Sequence, residues 1–229
     1  MKVKAWQNGM QLESDTIQFV NSISSIPTPE IIHSWRDENW DRSFLILRAL
    51  EGNTLAEAWD ALTASQRIDV ADTIAQYCDT LALSTSEKLE TADGKAVLEP
   101  FLAALPPASH PSWKPQTLGP LSSTELQSIL SRFTDFEGHV GTFNFYHADL
   151  GPKNILVARD GSIAGVIDWE SAAYYPRFWL GTQPLVSSGF HIPGKEGKAW
   201  PHHLARSLES KGFLPDMQKY EAWRSAFRD

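Results

Sequence analysis

Apolar and polar positions divide the first fifty residues into one helix and a small set of extended segments. Apolar residues near helical spacing in "LESDTIQFVNSI" predict a short amphipathic helix over residues 12–23. The prolines of "IPTPEIIHSW" end that helix and predict an extended segment. The apolar run "SFLILRALEG", residues 43–52, closes with a glycine and predicts a buried strand.

Helical periodicity dominates the next segment. Thr54 and Glu57 have the spacing of a capping box, which predicts the start of a helix at "TLAEAWDAL". The segment "ASQRIDVADTIAQYCDTLAL" predicts a longer core helix. Its predicted buried face carries Ile68, Ala71, Ile74, Cys78 and Leu81.

A proline-rich connection, residues 84–120, separates these helices from the rest of the chain. Ser122 and Glu125 then form a second capping box. The helix that they open is predicted to bury Leu126, Ile129, Leu130 and Phe133. Two further amphipathic helices are predicted near Trp200–Lys211 and Pro215–Phe227. The whole pattern predicts an α+β fold with a small N-terminal lobe and a larger, mostly helical lobe.

Composition narrows the function classes. The 229 residues carry a formal net charge of -8, which argues against nucleic-acid binding because a phosphate-backbone binder needs clustered Lys and Arg. Neither a signal peptide nor an apolar run of membrane-spanning length is present in the sequence. One cysteine, Cys78, excludes an internal disulfide framework and favours a reducing compartment such as the cytoplasm. No obligatory protein partner is inferred.

The densest candidate chemistry lies in "FYHADLGPKNILVARDGSIAGVIDWE", residues 145–170. The apolar runs "NILVA" and "IAGVI" flank the turn signal "RDGS" and predict a hairpin. Its open ends bring Asp149, Asn154 and Asp168 together. Two carboxylates and an amide oxygen suit Mg²⁺, and a carboxylate that does not bind the metal can act as a base.

The spacing H-x-D-x-x-x-x-N in "HADLGPKN", followed by "IDWE", resembles the catalytic core of the aminoglycoside phosphotransferase and choline kinase group. The segments "IPTPEII" and "SFLILRALEGNTL" resemble the entry to an N-lobe strand and the hinge of that group. "LGPLSSTEL" and "IDWESAAYYPRFW" are similar to the version common among fungal members. The resemblance implies a protein-kinase-like two-lobe fold, with residues 1–51 as a partial N-lobe and residues 52–229 as a helical C-lobe that carries the catalytic hairpin.

The resemblance also implies a function: the ATP- and Mg²⁺-dependent transfer of the γ-phosphate to a hydroxyl or amine of a small molecule. It gives the residues of the hairpin roles in this transfer. Asp149 would accept the proton of the acceptor. Asn154 and Asp168 would hold Mg²⁺ against the ATP phosphates. His147 would brace the catalytic loop, and Glu170 would support the metal or the acceptor side.

For the nucleotide, the resemblance implies Lys4 as the phosphate-contacting lysine and Glu13 as its partner on the helix, with Lys2 as the alternative to Lys4. The adenine contacts would lie near Arg48 and Leu50. The acceptor would be chosen by the helical lobe, in the region after residue 174 and in the proline-rich connection.

Two other interpretations remain open. Only three residues precede Lys4, and Gly9 is the only glycine before Gly52, so the glycine-rich loop that covers the nucleotide in kinase-like folds is missing from the sequence. This favours a pseudokinase, a binding protein that retains the site without turnover. The second alternative is a metal-dependent hydrolase that uses His147, Asp149, Asp168 and the pair His202-His203, in which case zinc would be its metal.

Overall fold

The computed structural model describes residues 1–131, 141–192, 194 and 196–228. The N-terminal part contains one helix and three strands: β1 (Lys2–Ala5), α1 (Glu13–Ile23), β2 (Ile31–Asp37) and β3 (Arg42–Leu47). The strands form an antiparallel sheet in the order β1-β3-β2, so β1 is an edge strand. The predicted helix and strand are confirmed, although β3 ends five residues before the predicted end of its strand. The prediction that this strand is buried is wrong for most of its length, because only Leu45 of β3 is buried.

The remaining elements form a larger and mostly helical unit. Its helices are α2 (Leu55–Ala58), α3 (Ala64–Leu81), α4 (Ser123–Leu130), α5 (Arg177–Val186), α6 (Ala199–Ser210) and α7 (Met217–Arg228). Its strands are β4 (Asn53–Thr54), β5 (Thr85–Ser86), β6 (Lys88–Leu89), β7 (Leu121–Ser122), β8 (Phe143–Tyr146), β9 (Ile155–Val157), β10 (Ile163–Val166) and β11 (Ala173–Pro176). Two three-stranded sheets, β10-β9-β4 and β11-β8-β5, lie between the helices, and β6 pairs with β7. Within the described part of the chain, no helix has both the length and the apolar character that a membrane crossing requires.

Both predicted capping boxes are present. The Thr54 side chain accepts a hydrogen bond from the backbone N–H of Glu57, whose carboxylate accepts one from the Thr54 N–H at 2.9 Å. Ser122 and Glu125 make the same pair of bonds at the start of α4. Each box satisfies two N–H groups that the first turn of a helix leaves without partners, which is why these helices begin where they do.

The predicted buried face of α3 is wrong at its first residue, Ile68. Ile68 is 47% exposed, whereas Val70 and Ala75 are buried on α3. Because α3 packs against α6 on one side, its buried stripe is rotated from the predicted one, although it retains four of the five predicted residues. On α4, Leu126 and Leu130 are buried, while Phe133 lies outside the described residues.

The core of the larger unit is rich in aromatic side chains. Five tryptophans are almost fully buried there: Trp59, Trp169, Trp179, Trp200 and Trp223. Cys78 is fully buried among apolar neighbours on α3, and this burial raises the pKa of its thiol. The prediction that Cys78 is a core residue is therefore confirmed.

Contacts on two sides of a cleft join the N-terminal sheet and helix to the larger unit. The backbone N–H of Val166 on β10 donates to the carbonyl of Pro27 at 2.9 Å. The Leu50 side chain lies so close to Gly165 that a Cβ there would collide with it. On the opposite side, the proline-rich connection reaches the small sheet, where the Arg42 guanidinium lies 5.1 Å from the centre of the Trp113 ring.

Candidate active site

The predicted hairpin places Asn154 and Asp168 at one end of two paired strands. β9 and β10 are antiparallel, with Ile155 opposite Val166. Beyond the last strand pair, the N–H of Ile167 donates to the carbonyl of Asn154 at 2.9 Å. The hairpin prediction is confirmed, and the backbone pairing holds Asp168 one residue from the partner of Asn154.

His147 joins the catalytic loop to the segment that carries Asp168. Its ring is fully buried, Nδ1 accepts the N–H of Asp149 at 3.2 Å, and Nε2 lies 3.0 Å from the carbonyl of Ile167. Because Nδ1 is the acceptor, Nε2 carries the proton and donates to Ile167. Burial lowers the pKa of His147 to about 4, so the ring is neutral at pH 7. A neutral, doubly hydrogen-bonded ring holds the two segments together.

Asp149 and Asn154 are in direct contact. The Asn154 amide nitrogen donates to Asp149 Oδ2 at 2.8 Å and to the Asp149 carbonyl at 2.9 Å. Burial and the nearby charge of Asp168 raise the pKa of Asp149 above its usual value, and the hydrogen bond from Asn154 opposes them. The amide nitrogen of Asn154 is thus spent on Asp149, and its amide oxygen is the atom with which it can bind a cation.

Two residues near the open end of the hairpin, one before β9 and one after β10, have left-handed backbone conformations. Ala148 has φ 60° and Asp168 has φ 64°, values that are uncommon for residues other than glycine. Such conformations cost free energy and cluster at functional sites. Ala148 directly precedes Asp149, and Asp168 is itself one of the groups that were predicted to carry the chemistry.

The structure corrects the predicted partner of Glu13. Lys2 Nζ, and not Lys4 Nζ, binds the Glu13 carboxylate, at 2.7 Å and 3.0 Å, and it also lies 2.9 Å from Asp168 Oδ1. Alternate residues of a strand share a face, so β1 directs both lysines into the cleft, and the position of α1 decides which one reaches Glu13. Glu13 also accepts the N–H of Trp169 at 3.2 Å. Burial raises the pKa of Glu13 even with Lys2 beside it.

Lys4 contacts the other acids of the cleft. Its Nζ lies 2.8 Å from Glu170 Oε1 and 3.7 Å from Asp168 Oδ1. Burial opposes the charge on Lys4, but the hydrogen bond and charge of Glu170 outweigh it and raise the pKa of Lys4. Burial also opposes the charge on Asp168, yet Lys2 and Lys4 lower its pKa below the usual value. The two ammonium groups therefore favour the ionised form of Asp168.

The oxygen atoms of the cleft fit a divalent cation. Carboxylate oxygens of Glu13, Asp168 and Glu170 all lie within 4.8 Å of one another. Mg²⁺ prefers one or two carboxylates together with waters and phosphate oxygens. Asp168, with the amide oxygen of Asn154, offers this donor set. Lys2 and Lys4 are the ammonium groups that would share these carboxylates with a bound cation.

The two residues predicted near the adenine have different surroundings. The Arg48 side chain is mostly exposed and forms an ion pair with Glu30, and its backbone N–H donates to the Glu30 carbonyl at 2.9 Å. The Arg48 side chain is therefore engaged on the surface of the small sheet. Leu50 is half-buried against Gly165 of the hairpin.

The histidine pair of the hydrolase alternative is on a different part of the molecule. His202 and His203 lie on α6, where the His203 ring contacts the Trp59 ring at 6.0 Å. Burial and the neighbouring Arg67 and Arg206 lower the pKa of His203. The metal-ligating group of the cleft consists of three carboxylates and contains no histidine. This arrangement does not support a zinc hydrolase.

A cavity of about 770 Å³ opens beside Asp149. Part of its lining comes from the proline-rich connection, which was predicted to help choose the acceptor, and part from residues 187–189 after α5. Its volume is within the range of small-molecule sites. The cavity is therefore large enough for a small molecule to lie beside Asp149.

Two buried residues behind this cavity were missed by sequence reasoning. Gln183 donates to the carbonyl of Ala148 and, at 2.9 Å, to Glu99 Oε2. Glu99 also accepts the indole N–H of Trp179 at 3.1 Å. This network links α5, the proline-rich connection and the catalytic loop. A lone acid in the apolar run "VLEPFLAAL" was the available signal for Glu99.

The sequence pattern of the phosphotransferase enzyme family matches residues 5–179, which include the hairpin, the catalytic loop and most of the small sheet. The chain belongs to this phosphotransferase family. The prediction made from "HADLGPKN" and "IDWE" is thereby confirmed at the level of the family. No curated protein sequence matches the chain significantly.

One solved phosphotransferase structure shows the same fold, and a second is similar with a lower TM-score. The GDP and kanamycin complex of APH(2")-IIia matches with a TM-score of 0.52 and 15% identity, over 94% of this chain and 71% of that one. The GDP complex of wild-type aminoglycoside 2'-phosphotransferase-IIIa matches with a TM-score of 0.48 and 12% identity, over 99% of this chain and 82% of that one. At these identities the likeness concerns the fold alone, and the first match confirms the predicted protein-kinase-like class.

Proposed function

We propose that this family member is an ATP- and Mg²⁺-dependent phosphotransferase that transfers the γ-phosphate to a hydroxyl or amine of a small molecule. The observation that carries the proposal is the arrangement of Asp149, Asn154 and Asp168 around one cleft, with Lys2 bound to both Asp168 and Glu13. The GDP bound to the compared phosphotransferase APH(2")-IIia is consistent with a nucleotide donor here.

Asp149 is the proposed proton acceptor. It lines the cavity in which an acceptor would lie, and Asn154 fixes its orientation through Oδ2. The acceptor oxygen or nitrogen attacks the γ-phosphorus, its proton passes to the Asp149 carboxylate, and the bond from that phosphorus to the ADP oxygen breaks. Such transfer depends chiefly on positioning and on charges aimed at the phosphates.

Asp168 and the amide oxygen of Asn154 are the proposed Mg²⁺ ligands. The metal, when bound, supplies positive charge against the nucleotide phosphates. Lys2 is the proposed phosphate-contacting lysine, because it is the lysine that Glu13 orients. Lys4 holds Glu170 and is placed to contact a phosphate or the acceptor. His147 positions the loop without touching the reactants.

The proposed lobe boundary falls near residue 51. The β1-β3-β2 sheet uses only residues before that point, whereas β4, which begins at Asn53, pairs with β9 of the larger unit. We place the nucleotide between these two lobes, with Leu50 against the adenine, and the protein in the cytoplasm, where its single buried cysteine remains reduced.

A second candidate function, a pseudokinase, is favoured by one observation. Lys2 and Lys4 already form ion pairs with Asp168, Glu170 and Glu13, so a cation must compete with two ammonium groups for these oxygens. If this competition prevents metal binding, the chain would bind an acceptor without turnover.

Hydrolysis of γ-labelled ATP with and without Mg²⁺ separates the two functions. We expect Mg²⁺-dependent release of labelled phosphate by the full 229-residue chain, and loss of this activity in Asp168→Ala. Asp160→Asn is the matched control, since Asp160 is an exposed turn residue whose carboxylate binds Ser162. Rates equal to the protein-free background for the parent chain would reject the phosphotransferase and leave the pseudokinase.

A further inference from the structure

The peptide unit that joins Ala148 to Asp149 is held on both sides. Its N–H donates to Nδ1 of the buried His147 ring at 3.2 Å. Its carbonyl accepts a hydrogen bond from the side-chain amide nitrogen of Gln183. The N–H and C=O groups of a trans peptide point in opposite directions, so these two side chains fix the plane of the peptide from opposite sides. A rotation of that plane breaks at least one of the two bonds.

Ala148 gives this peptide a reason to rotate. Its φ of 60° lies in the left-handed region, which costs free energy in a residue that has a Cβ. Relaxation of Ala148 toward an ordinary conformation would turn the peptide and move Asp149 with it. Such a conformation persists only where the surrounding structure imposes it. The hydrogen bonds of His147 and Gln183 oppose this relaxation.

The partners of Gln183 determine the orientation of its amide group. The amide nitrogen faces the carbonyl of Ala148 and lies 2.9 Å from Glu99 Oε2. Since a carbonyl oxygen can only accept, the atom that faces it must be the nitrogen. Glu99 is 1% exposed and accepts the N–H of Phe101 at 3.0 Å and the indole N–H of Trp179 at 3.1 Å. Gln183 is therefore held in place behind the catalytic loop.

Gln183 occupies this position at a cost to stability. Its amide oxygen is buried and has no hydrogen-bond partner in the described part of the chain. A buried polar atom without a partner destabilises a fold, and an apolar side chain of similar length, such as methionine, would avoid this penalty. What methionine would not supply is the N–H donor for the Ala148 carbonyl. This donor distinguishes Gln183 from a residue that only fills space.

We propose that Gln183 is a positioning residue: together with His147, it fixes the peptide between Ala148 and Asp149 and thereby places the Asp149 carboxylate beside the acceptor. This proposal rests on the proposed function, in which Asp149 accepts the proton of the acceptor. Gln183 takes no part in the proton transfer and acts only through the position of Asp149.

Hydrogen exchange of backbone amides, followed by NMR on the full 229-residue chain without ligand, tests the contact and does not require turnover. We expect the Asp149 N–H to exchange about 5- to 30-fold faster in Gln183→Met than in the parent chain, the value of a hydrogen bond to a buried group. Rates are normalised to the N–H of Phe145, which donates to the Ser84 carbonyl at 3.0 Å and reports stability away from Gln183. Unchanged normalised exchange in Gln183→Met would overturn the proposal.

Thr182→Val is the matched control on the same helix. Thr182 is fully buried, and its hydroxyl donates to the Phe178 carbonyl at 2.7 Å and accepts the Asp216 N–H at 2.9 Å. Neither partner belongs to the catalytic loop, so the normalised exchange of the Asp149 N–H should remain that of the parent chain. An equal increase in both variants would show that α5 acts through general packing and would contradict the proposal.

A measurement on the parent chain decides the question if Gln183→Met does not fold. Both protons of the Gln183 amide nitrogen face buried acceptors, so they should exchange far more slowly than the side-chain protons of Gln18, which is exposed on α1. Equal exchange of the two side-chain amides would reject the proposed contact.

Mg²⁺-dependent hydrolysis of γ-labelled ATP, with water as the acceptor, measures the catalytic consequence. We expect kcat to fall about 10- to 100-fold in Gln183→Met, because misplacement of a catalytic group has effects of this order. KM for ATP should not change, since Asp149 faces the acceptor and not the nucleotide, and Thr182→Val should keep the kcat of the parent chain. A loss that appears only in KM would contradict the positioning role.

The two measurements separate this proposal from the proposed function. Faster exchange of the Asp149 N–H with an unchanged kcat would overturn the positioning role and leave the phosphotransferase in place. Absence of hydrolysis by the parent chain would reject the phosphotransferase and the catalytic role of Gln183 with it. In that case the exchange rates alone decide whether Gln183 holds the peptide.

Discussion

The two halves of the candidate site are held in different ways. On the side of the larger lobe, His147 is fully buried, and its ring uses both nitrogens in hydrogen bonds to the backbone. On the side of the small lobe, Lys2 and Lys4 are 26% and 38% exposed, lie on an edge strand, and are held by ion pairs. The first half is therefore rigid before any ligand binds, whereas the second can exchange carboxylate partners for phosphates.

Asp149→Asn should have the largest effect on the rigid half. We expect turnover to fall by roughly 10²–10⁴, the usual value of a positioned proton acceptor. Thermal stability should be unchanged or higher, because burial already disfavours the Asp149 carboxylate. Rate measurements at saturating ATP, with melting curves of the same samples, check both parts. Turnover equal to that of the parent chain would remove Asp149 from the proposed role.

His147→Ala should destabilise the same half of the site. It leaves the Asp149 N–H and the Ile167 carbonyl without their partner and removes a ring that packs on Trp169 at 4.4 Å. We expect the free energy of unfolding to fall by about 2–4 kcal/mol, measured by denaturant titration. His202→Ala is the control, since His202 is exposed on α6. Equal stability of the two variants would show that the His147 contacts contribute nothing.

The pH dependence of stability sharpens this prediction. The pKa of His147 is about 4 in the folded chain and 6.5 as a free side chain, so the unfolded chain binds more protons between these values. The contribution of His147 to the free energy of unfolding is complete above pH 6.5 and is lost as the pH falls toward 4. The parent should lose at most about 1.4 kcal/mol per pH unit in this window through His147, and His147→Ala should lack that component. Parallel unfolding titrations at pH 7 and pH 5 measure it. Identical slopes for both proteins would contradict the assignment.

The ion-paired half should show a smaller effect that differs between its two lysines. Lys2→Met leaves the nearly buried Glu13 carboxylate without its ammonium partner, and we expect a loss of about 1–3 kcal/mol in unfolding free energy. Lys4→Met removes a more exposed pair with Glu170 and should cost at most about 1 kcal/mol. Calorimetry of this matched pair tests the difference. A larger loss of unfolding free energy in Lys4→Met than in Lys2→Met would contradict this prediction.

Most of the rigid half could be predicted from the sequence because its residues lie close to one another in the chain. Asp149, Asn154 and Asp168 lie within twenty residues of one another, and a hairpin with a clear turn signal connects them. Strand pairing alone then places Asn154 beside Asp168. The ion-paired half was less predictable, because the partner of Glu13 depends on how β1 and α1 pack, and the sequence offers two lysines on the same face.

By itself, the sequence determined the family, the order of the elements, the capped starts of α2 and α4 and the acids of the hairpin, because these depend on motifs and on contacts between neighbouring residues. Only the tertiary structure decided that Lys2 reaches Glu13, that α3 turns Ile68 outward, and that Glu99 and Gln183 meet behind the catalytic loop. Two of these features are contacts between residues that are distant in the chain, and the third depends on how helices pack. Local periodicity specifies which side chains share a face, but the packing of the elements specifies what that face contacts.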